Sequence, residues 1–214
     1  MAQGNHTAAL AKLLEAKEMM PQDPFIHNSL GLAYMGKKRD DLAELAFQKA
    51  LQLKPDYTEA LNNLGAARLR QDKLDSAIQA FLKVLDDLLY PTPHFPLSNL
   101  GWAYVGKKDF KQAETYFLKA MDSLPWYIPA THGQAKVFLK TNRPDDAIAF
   151  LKTALYKHPD AAILHADLAE AHEARKEFPL ARRAWQQVLR LSPANSPLAA
   201  AAEKKLREIN SGMN

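Results

Sequence analysis

The residues best suited to bind a metal ion are His165 and His172, with Glu170 between them. Imidazole and carboxylate groups are both zinc ligands. On a helix, however, seven residues separate the two histidines by about 10 Å along the axis, too far to share one ion. They also occupy the places held by the packing residues Leu97 and Tyr104 in an earlier, similar segment. We therefore predict a packing role and no metal site.

Other patterns that carry chemistry are absent from the sequence. Cysteine does not occur, which excludes a disulfide, a thiolate metal site and a cysteine nucleophile. There is no glycine-rich phosphate loop, no His-Glu-x-x-His and no Gly-x-Ser-x-Gly. We predict that the chain is not an enzyme and that it binds no cofactor.

The composition indicates an all-α fold. Apolar residues make up 47% of the chain, there are only 8 glycines, and no run of β-branched residues predicts a strand. No apolar stretch approaches the ~20 residues that span a bilayer. The first residues, MAQGNHTAAL, lack the basic start and apolar centre of a signal peptide.

A net charge of +4 raises the question of acidic partners. Basic pairs fall at equivalent places, the end of a predicted helix, where cations complement the helix dipole. These pairs are Lys37-Lys38, Lys107-Lys108 and Arg175-Lys176. A nucleic-acid surface would instead cluster its cations along one face, so we predict no nucleic-acid partner.

The segment from Pro91 to Pro125 has the pattern of a helix hairpin. Two stretches with apolar and small residues at helical spacing lie on either side of a basic turn, and proline stands at both ends. The spaced residues are Leu97, Leu100, Gly101 and Tyr104 in the first stretch, and Ala113, Phe117 and Ala120 in the second.

This pattern recurs along the chain. Gly31 and Gly65 lie 34 residues apart, and the same step leads from Ala113 to Ala147. Between Gly65 and Gly101 the step is 36, so two residues are inserted near 86–93. A fixed period of this length is the signature of a repeat protein.

The repeated residues resemble those of the tetratricopeptide repeat family, which implies a right-handed α-solenoid of helix hairpins. The resemblance predicts one solenoid domain over 1–214. It would comprise the second helix of a truncated repeat (1–23), full repeats at 24–57, 58–93, 94–127, 128–161 and 162–195, and a capping helix at 196–210.

Two irregular places carry their own predictions. The second helix of repeat 58–93 is expected to run on through Leu89, or the turn after it to loosen. A helix is expected from Thr7 to Met19, preceded by a turn at residues 3–5. Because that helix would lack its hairpin partner, we expect the natural protein to begin earlier.

In this family the first helices of the hairpins line a concave groove, which implies a site for a protein or peptide. Asparagine amides can pair with a peptide backbone, and exposed Phe, Leu and Trp can anchor side chains. The alternative is that Asn62, Asn63 and Trp102 pack between hairpins. The groove residues implied are Phe25, Asn28, Leu32, Asn62, Asn63, Leu69, Phe95, Asn99, Trp102 and Lys136.

Charge is expected to change along this groove. The first helix of repeat 128–161 is basic, with His132, Lys136 and Lys140, whereas that of 162–195 is acidic, with Asp167, Glu170 and Glu173. Some family members clamp two carboxylates with Lys, Asn and Arg. Of the matching places here only Asn63 fits, which predicts against that activity.

The insertion, the repeat number and the stretch 89–93 before Asn99-Leu100-Gly101-Trp102 resemble the pilotin lipoproteins of bacterial type IV pili. That resemblance implies a lipid-anchored protein on the periplasmic side of the outer membrane. It would help a secretin subunit, or another pilus assembly protein, to assemble there. The chain itself is expected to be a monomer or a weak dimer. The alternatives are a cytoplasmic adaptor and the repeat portion of a larger enzyme such as a glycosyltransferase.

Overall fold

The computed structural model describes residues 2–211, with side chains from residue 8 onward. This part of the chain contains helices and no strand, so the all-α prediction is confirmed. The helices are α1 (Ala2–Met19), α2 (Pro24–Gly36), α3 (Asp40–Leu53), α4 (Thr58–Arg70), α5 (Leu74–Leu85), α6 (His94–Gly106), α7 (Phe110–Ser123), α8 (Ile128–Lys140), α9 (Pro144–Lys157), α10 (Ala162–Ala174), α11 (Phe178–Leu191) and α12 (Pro197–Ser211).

The described residues form two compact units, unit 1 ending at Asp109 and unit 2 beginning at Phe110. In unit 1, each of the helices α1 to α5 packs on the next one, and α2 and α4 also contact the first helix of the following hairpin. Unit 2 follows the same plan from α7 to α12, with α8 against α10. Each unit is therefore a stack of helix hairpins, as predicted. The single domain over 1–214 stays a prediction.

Each turn inside a hairpin uses one residue in the left-handed conformation. At the end of α2, Lys38 has φ 59°. The Lys38 N–H donates to Met35 O at 2.9 Å, and the Arg39 N–H donates to Tyr34 O at 2.9 Å. These bonds satisfy carbonyls that the helix end leaves open. The same conformation recurs at Asp72, Lys108, Asn142 and Lys176, with φ between 58° and 61°.

Small and aromatic residues meet where the two helices of a hairpin cross. A Cβ atom on Gly31 of α2 would lie 2.3 Å from the ring of Phe47 on α3, which is fully buried. A Cβ atom on Gly65 of α4 would lie 2.6 Å from Phe81 on α5. The repeated Gly and Phe are therefore two halves of one contact, which sets how closely the helices approach.

A polar network joins the hairpin α2–α3 to the hairpin α4–α5. The Glu44 carboxylate on α3 accepts hydrogen bonds from Arg68 Nε at 3.0 Å, Gln71 Nε2 at 3.0 Å and Lys73 Nζ at 2.6 Å. Burial alone would raise the pKa of Glu44, but these three donors outweigh it and lower the pKa below its ordinary 4.5. The ionised carboxylate thus helps to hold the two hairpins together.

Of the two alternatives for the insertion, the longer helix was wrong, and so was the turn expected at residues 3–5. Helix α5 ends at Leu85 rather than running through Leu89, so the insertion lengthens the turn before α6, residues 86–93, instead of the helix. Asp87 Oδ1 accepts the N–H of Leu89 at 3.0 Å, and Pro91 follows, both of which disfavour further helix. Helix α1 begins at Ala2, so residues 3–5 are helical and form no turn.

Candidate peptide-binding surface

The candidate surface of unit 1 is carried by α2, α4 and α6. Because α2 contacts α4 and α4 contacts α6, equivalent positions of the three helices are neighbours. Large apolar side chains are exposed on this first-helix surface: Phe25 at 53%, Leu32 at 45% and Phe95 at 41%. Leu69 and Trp102 are half-buried. Exposed aromatic and aliphatic groups of this kind can anchor a partner by leaving water on binding.

A chain of hydrogen bonds occupies two of the predicted asparagines. Asn63 Nδ2 on α4 donates to Asn28 Oδ1 on α2 at 3.0 Å, and Asn28 Nδ2 donates to the Tyr57 hydroxyl at 3.2 Å. Asn28 is only 4% exposed, contrary to the expectation that it faces a groove. Burial is tolerated because both ends of the amide are satisfied. Asn63, half-buried, links the neighbouring helices.

The ring of Phe25 packs against Tyr57 and lies near Lys54, and neither contact was predicted from the sequence. Phe25 and Tyr57 meet edge to face with ring centroids 5.1 Å apart. Lys54 Nζ lies 5.1 Å from the Phe25 ring centroid. Burial, and secondarily the nearby Glu59, raises the pKa of the Tyr57 hydroxyl, so the hydroxyl that accepts from Asn28 Nδ2 stays neutral. Tyr57 immediately precedes α4, outside the first-helix pattern that guided the prediction.

Three polar side chains of α4 and α6 have atoms that make no hydrogen bond within the described residues: Asn62, Ser98 and Asn99. Asn62, at 9% exposure, is buried rather than exposed, and its Oδ1 has no hydrogen-bond partner among the described residues. The buried Ser98 Oγ on α6 also has no hydrogen-bond partner among the described residues. The half-buried Asn99 side chain forms no hydrogen bond within residues 8–211. An amide not used by the fold is available to pair with the backbone of an extended peptide.

In unit 2 the equivalent surface is an internal ion-pair network. His132 Nδ1 on α8 lies 2.6 Å from Asp167 Oδ2 on α10, and Lys136 Nζ lies 3.2 Å from Asp167 Oδ1 and 2.5 Å from Glu170 Oε2. Asp167 is fully buried. Burial disfavours the Lys136 cation, but the two carboxylates outweigh it and raise its pKa. The predicted basic and acidic helices therefore neutralise each other.

The acidic end of this surface is also paired inside the fold. Glu173 accepts a hydrogen bond from Trp185 Nε1 at 2.5 Å and one from Lys205 of α12 at 2.9 Å. For the pair between α8 and α10, the spacing in the sequence is a signal that could have revealed the contact. Lys136 and Glu170 lie 34 residues apart, which is one repeat. Opposite charges one period apart on adjacent first helices are neighbours in space.

The histidines serve the fold. His165 Nε2 lies 2.8 Å from the carbonyl of Pro159, and His27 makes the same contact to Pro21 at 2.9 Å. His172, only 5% exposed, bonds Glu177 at 2.6 Å. Among the described side chains, no three His, Asp or Glu are grouped so as to hold a metal ion. No described helix has the length and apolarity needed to cross a membrane.

The chain matches four family models, each described as a tetratricopeptide repeat. The matches lie at residues 24–57, 46–79, 97–123 and 132–206. Together they leave out residues 1–23, 80–96, 124–131 and 207–214, and the second of these ranges includes the insertion.

Among curated proteins, the chain is similar to the type IV pilus assembly protein PilF of Pseudomonas aeruginosa. The two are 29% identical over 121 residues, which is 56% of this chain and 48% of PilF. The chain thus spans about half the length of this relative.

Two solved structures of pilus proteins share the fold. The structure of Pseudomonas aeruginosa PilF superposes with a TM-score of 0.74 at 21% identity, over 99% of this chain and 91% of that one. The structure of PilW, described as a widely conserved type IV pilus biogenesis factor, gives a TM-score of 0.81 at 23% identity, over 94% and 92% of the two chains. Identities this low establish a common fold.

Proposed function

Because this chain belongs to the tetratricopeptide repeat family, we propose that it is a non-catalytic scaffold that binds a polypeptide along the first-helix surface of unit 1. The observation that carries this proposal is the contrast between the two units. Unit 2 satisfies its first-helix charges internally through Asp167 and Lys136. Unit 1 leaves three large apolar side chains exposed and the Asn99 amide unused.

The arrangement suits an extended segment or the apolar face of a helix. Phe25, Leu32 and Phe95 offer anchoring contacts at separate points, and Asn99 offers a donor and an acceptor for a backbone group between them. Phe25 is held against Tyr57, so little side-chain freedom is lost when a partner covers it.

The partner that we propose is a subunit of the outer-membrane secretin of type IV pili, or another pilus assembly protein. The similarity to PilF, whose name places it in type IV pilus assembly, supports this choice. In this proposal the protein acts on the periplasmic side of the outer membrane, held there by a lipid anchor on the full-length chain. It would assist the secretin subunit to assemble, as a pilotin does.

The direct test is binding of the purified secretin subunit from the same organism. Phe95→Glu places a carboxylate on the first-helix surface and, near the start of α6, is compatible with the helix dipole. We expect affinity to fall about tenfold or more, as at an interface hot spot. Tyr156→Glu, at an 83% exposed site on α9, is the matched control and should bind like the wild type.

Equal binding by both variants would place the interface elsewhere, and absence of wild-type binding would exclude this partner. In cells, deletion of the gene should reduce assembled secretin multimers. Normal multimer levels in the deletion strain would contradict a pilotin-like role.

A further inference from the structure

The turn between α5 and α6 exposes two leucines to solvent. Leu88 is 94% exposed and Leu89 is 90% exposed, the highest values among large apolar side chains in the described part of the chain. They lie in the segment where the repeat step lengthens from 34 to 36. Covering a leucine side chain removes apolar surface from water and is favourable, and here the fold leaves both uncovered.

Hydrogen bonds to Asp87 organise this turn. Asp87 Oδ1 accepts the N–H of Leu89 at 3.0 Å, and Asp87 Oδ2 accepts the hydroxyl of Thr58, on α4, at 3.0 Å. The backbone N–H of Tyr90 also donates to Asp87 O at 3.1 Å. Asp87 thereby ties the turn to the start of α4. A preorganised apolar projection loses little conformational entropy when it enters a pocket.

A cleft of about 380 Å³ adjoins this turn. Its polar lining includes the carboxylates of Asp56 and Asp87 and the single ammonium group of Lys83. Asp86, next to the leucines, is exposed as well. The carboxylates outnumber the cation, so the cleft attracts a positively charged group. A lysine or arginine side chain is long enough to reach the carboxylates and carries the complementary charge.

We propose that residues 86–90 and the adjoining cleft form a second docking site, which takes a protein partner presenting an apolar pocket beside a Lys or Arg. The two leucines enter the pocket, and the partner's cation enters the cleft between Asp56 and Asp87. A bilayer suits the site poorly, because the carboxylates at 86 and 87 would be pressed against anionic headgroups. The cleft is lined by α5, by the turns before α4 and after α5, and by Thr58 and Leu61 of α4. Phe25, Leu32, Phe95 and Asn99 of the first-helix surface are not among its lining residues.

The test is photo-crosslinking in cells of the native host. Benzoylphenylalanine replaces Leu89 in the full chain, and a second strain carries it at the control position Tyr156. We expect one discrete protein adduct from position 89 and none from 156. In the position-89 strain, Asp56→Lys, which reverses the charge at the mouth of the cleft, should reduce that adduct about tenfold or more.

A purified Leu88→Ser/Leu89→Ser variant provides the stability control. Its melting temperature should stay within about 2 °C of the wild type, because nothing in the fold covers these side chains. The proposal is overturned if position 89 gives no adduct, gives adducts only with lipid or with a second copy of this chain, or gives a protein adduct that Asp56→Lys leaves unchanged. A failure of secretin binding by the first-helix surface leaves these readouts unaffected.

Discussion

Asn63 and Asn99 occupy equivalent places on α4 and α6, but the structure predicts different effects of changing them to alanine. Asn63→Ala should lower the stability of the fold, whereas Asn99→Ala should weaken binding and leave stability almost unchanged. Asn63 donates to Asn28 Oδ1 at 3.0 Å, and Asn28 is 4% exposed, so Asn63→Ala strands a buried acceptor. That loss is worth about 1–3 kcal/mol of unfolding free energy. Asn99→Ala removes no bond within the described residues and should change stability by less than about 0.5 kcal/mol. Alanine has a higher helix propensity than asparagine, and this gain is common to both substitutions, so it cancels when the two variants are compared.

Urea unfolding followed by circular dichroism measures this difference. A loss of about 2 kcal/mol also lowers the melting temperature by about 4–8 °C in a protein of this size. Binding of the secretin subunit, measured in parallel, should weaken about fivefold or more for Asn99→Ala. Equal stability of the two variants would refute the structural role of Asn63. Wild-type affinity of Asn99→Ala would refute the binding role of Asn99.

Three further outcomes follow from the packing and the turns. Gly31→Ala places a Cβ atom 2.3 Å from the buried Phe47 ring and should cost about 1–3 kcal/mol in urea unfolding, whereas Gly106→Ala, 3.0 Å from a flexible leucine, should be near neutral. Glu44→Gln should destabilise by about 1 kcal/mol at pH 7. Because the folded-state pKa of Glu44 is lowered, its contribution is present above pH 4.5 and lost below, so denaturation curves of variant and wild type should converge in acid. Asn142→Gly, at φ 58°, should raise the melting temperature by about 1–3 °C, since glycine adopts this conformation without strain.

The hairpins could be predicted because their determinants are local and repeated. The spacing of Gly31 and Phe47 recurs 34 residues later in Gly65 and Phe81, and each Gly–Phe pair forms the contact at which the two helices of a hairpin cross. The end of α5 could not be predicted from apolar spacing, since Leu88 and Leu89 continue the helical pattern. A side-chain bond from Asp87 and the following prolines decide the outcome instead.

The candidate site was less predictable because it depends on contacts one repeat apart. The burial of Asn28 requires both Tyr57 and Asn63, which are distant in sequence. The side chains of His132 and Asp167 look available when each helix is considered alone, but His132 Nδ1 and Asp167 Oδ2 lie 2.6 Å apart. Position in the repeat therefore identifies which residues can face a ligand, whereas partner residues on the next hairpin decide which of them do.

The most direct test of the central claim is amide chemical-shift mapping of the isotope-labelled protein on addition of unlabelled secretin subunit. We predict that the largest shifts fall on α2, α4 and α6, around Phe25, Leu32 and Asn99. Shifts confined to the second helices of the hairpins, or to unit 2, would contradict binding through the first-helix surface.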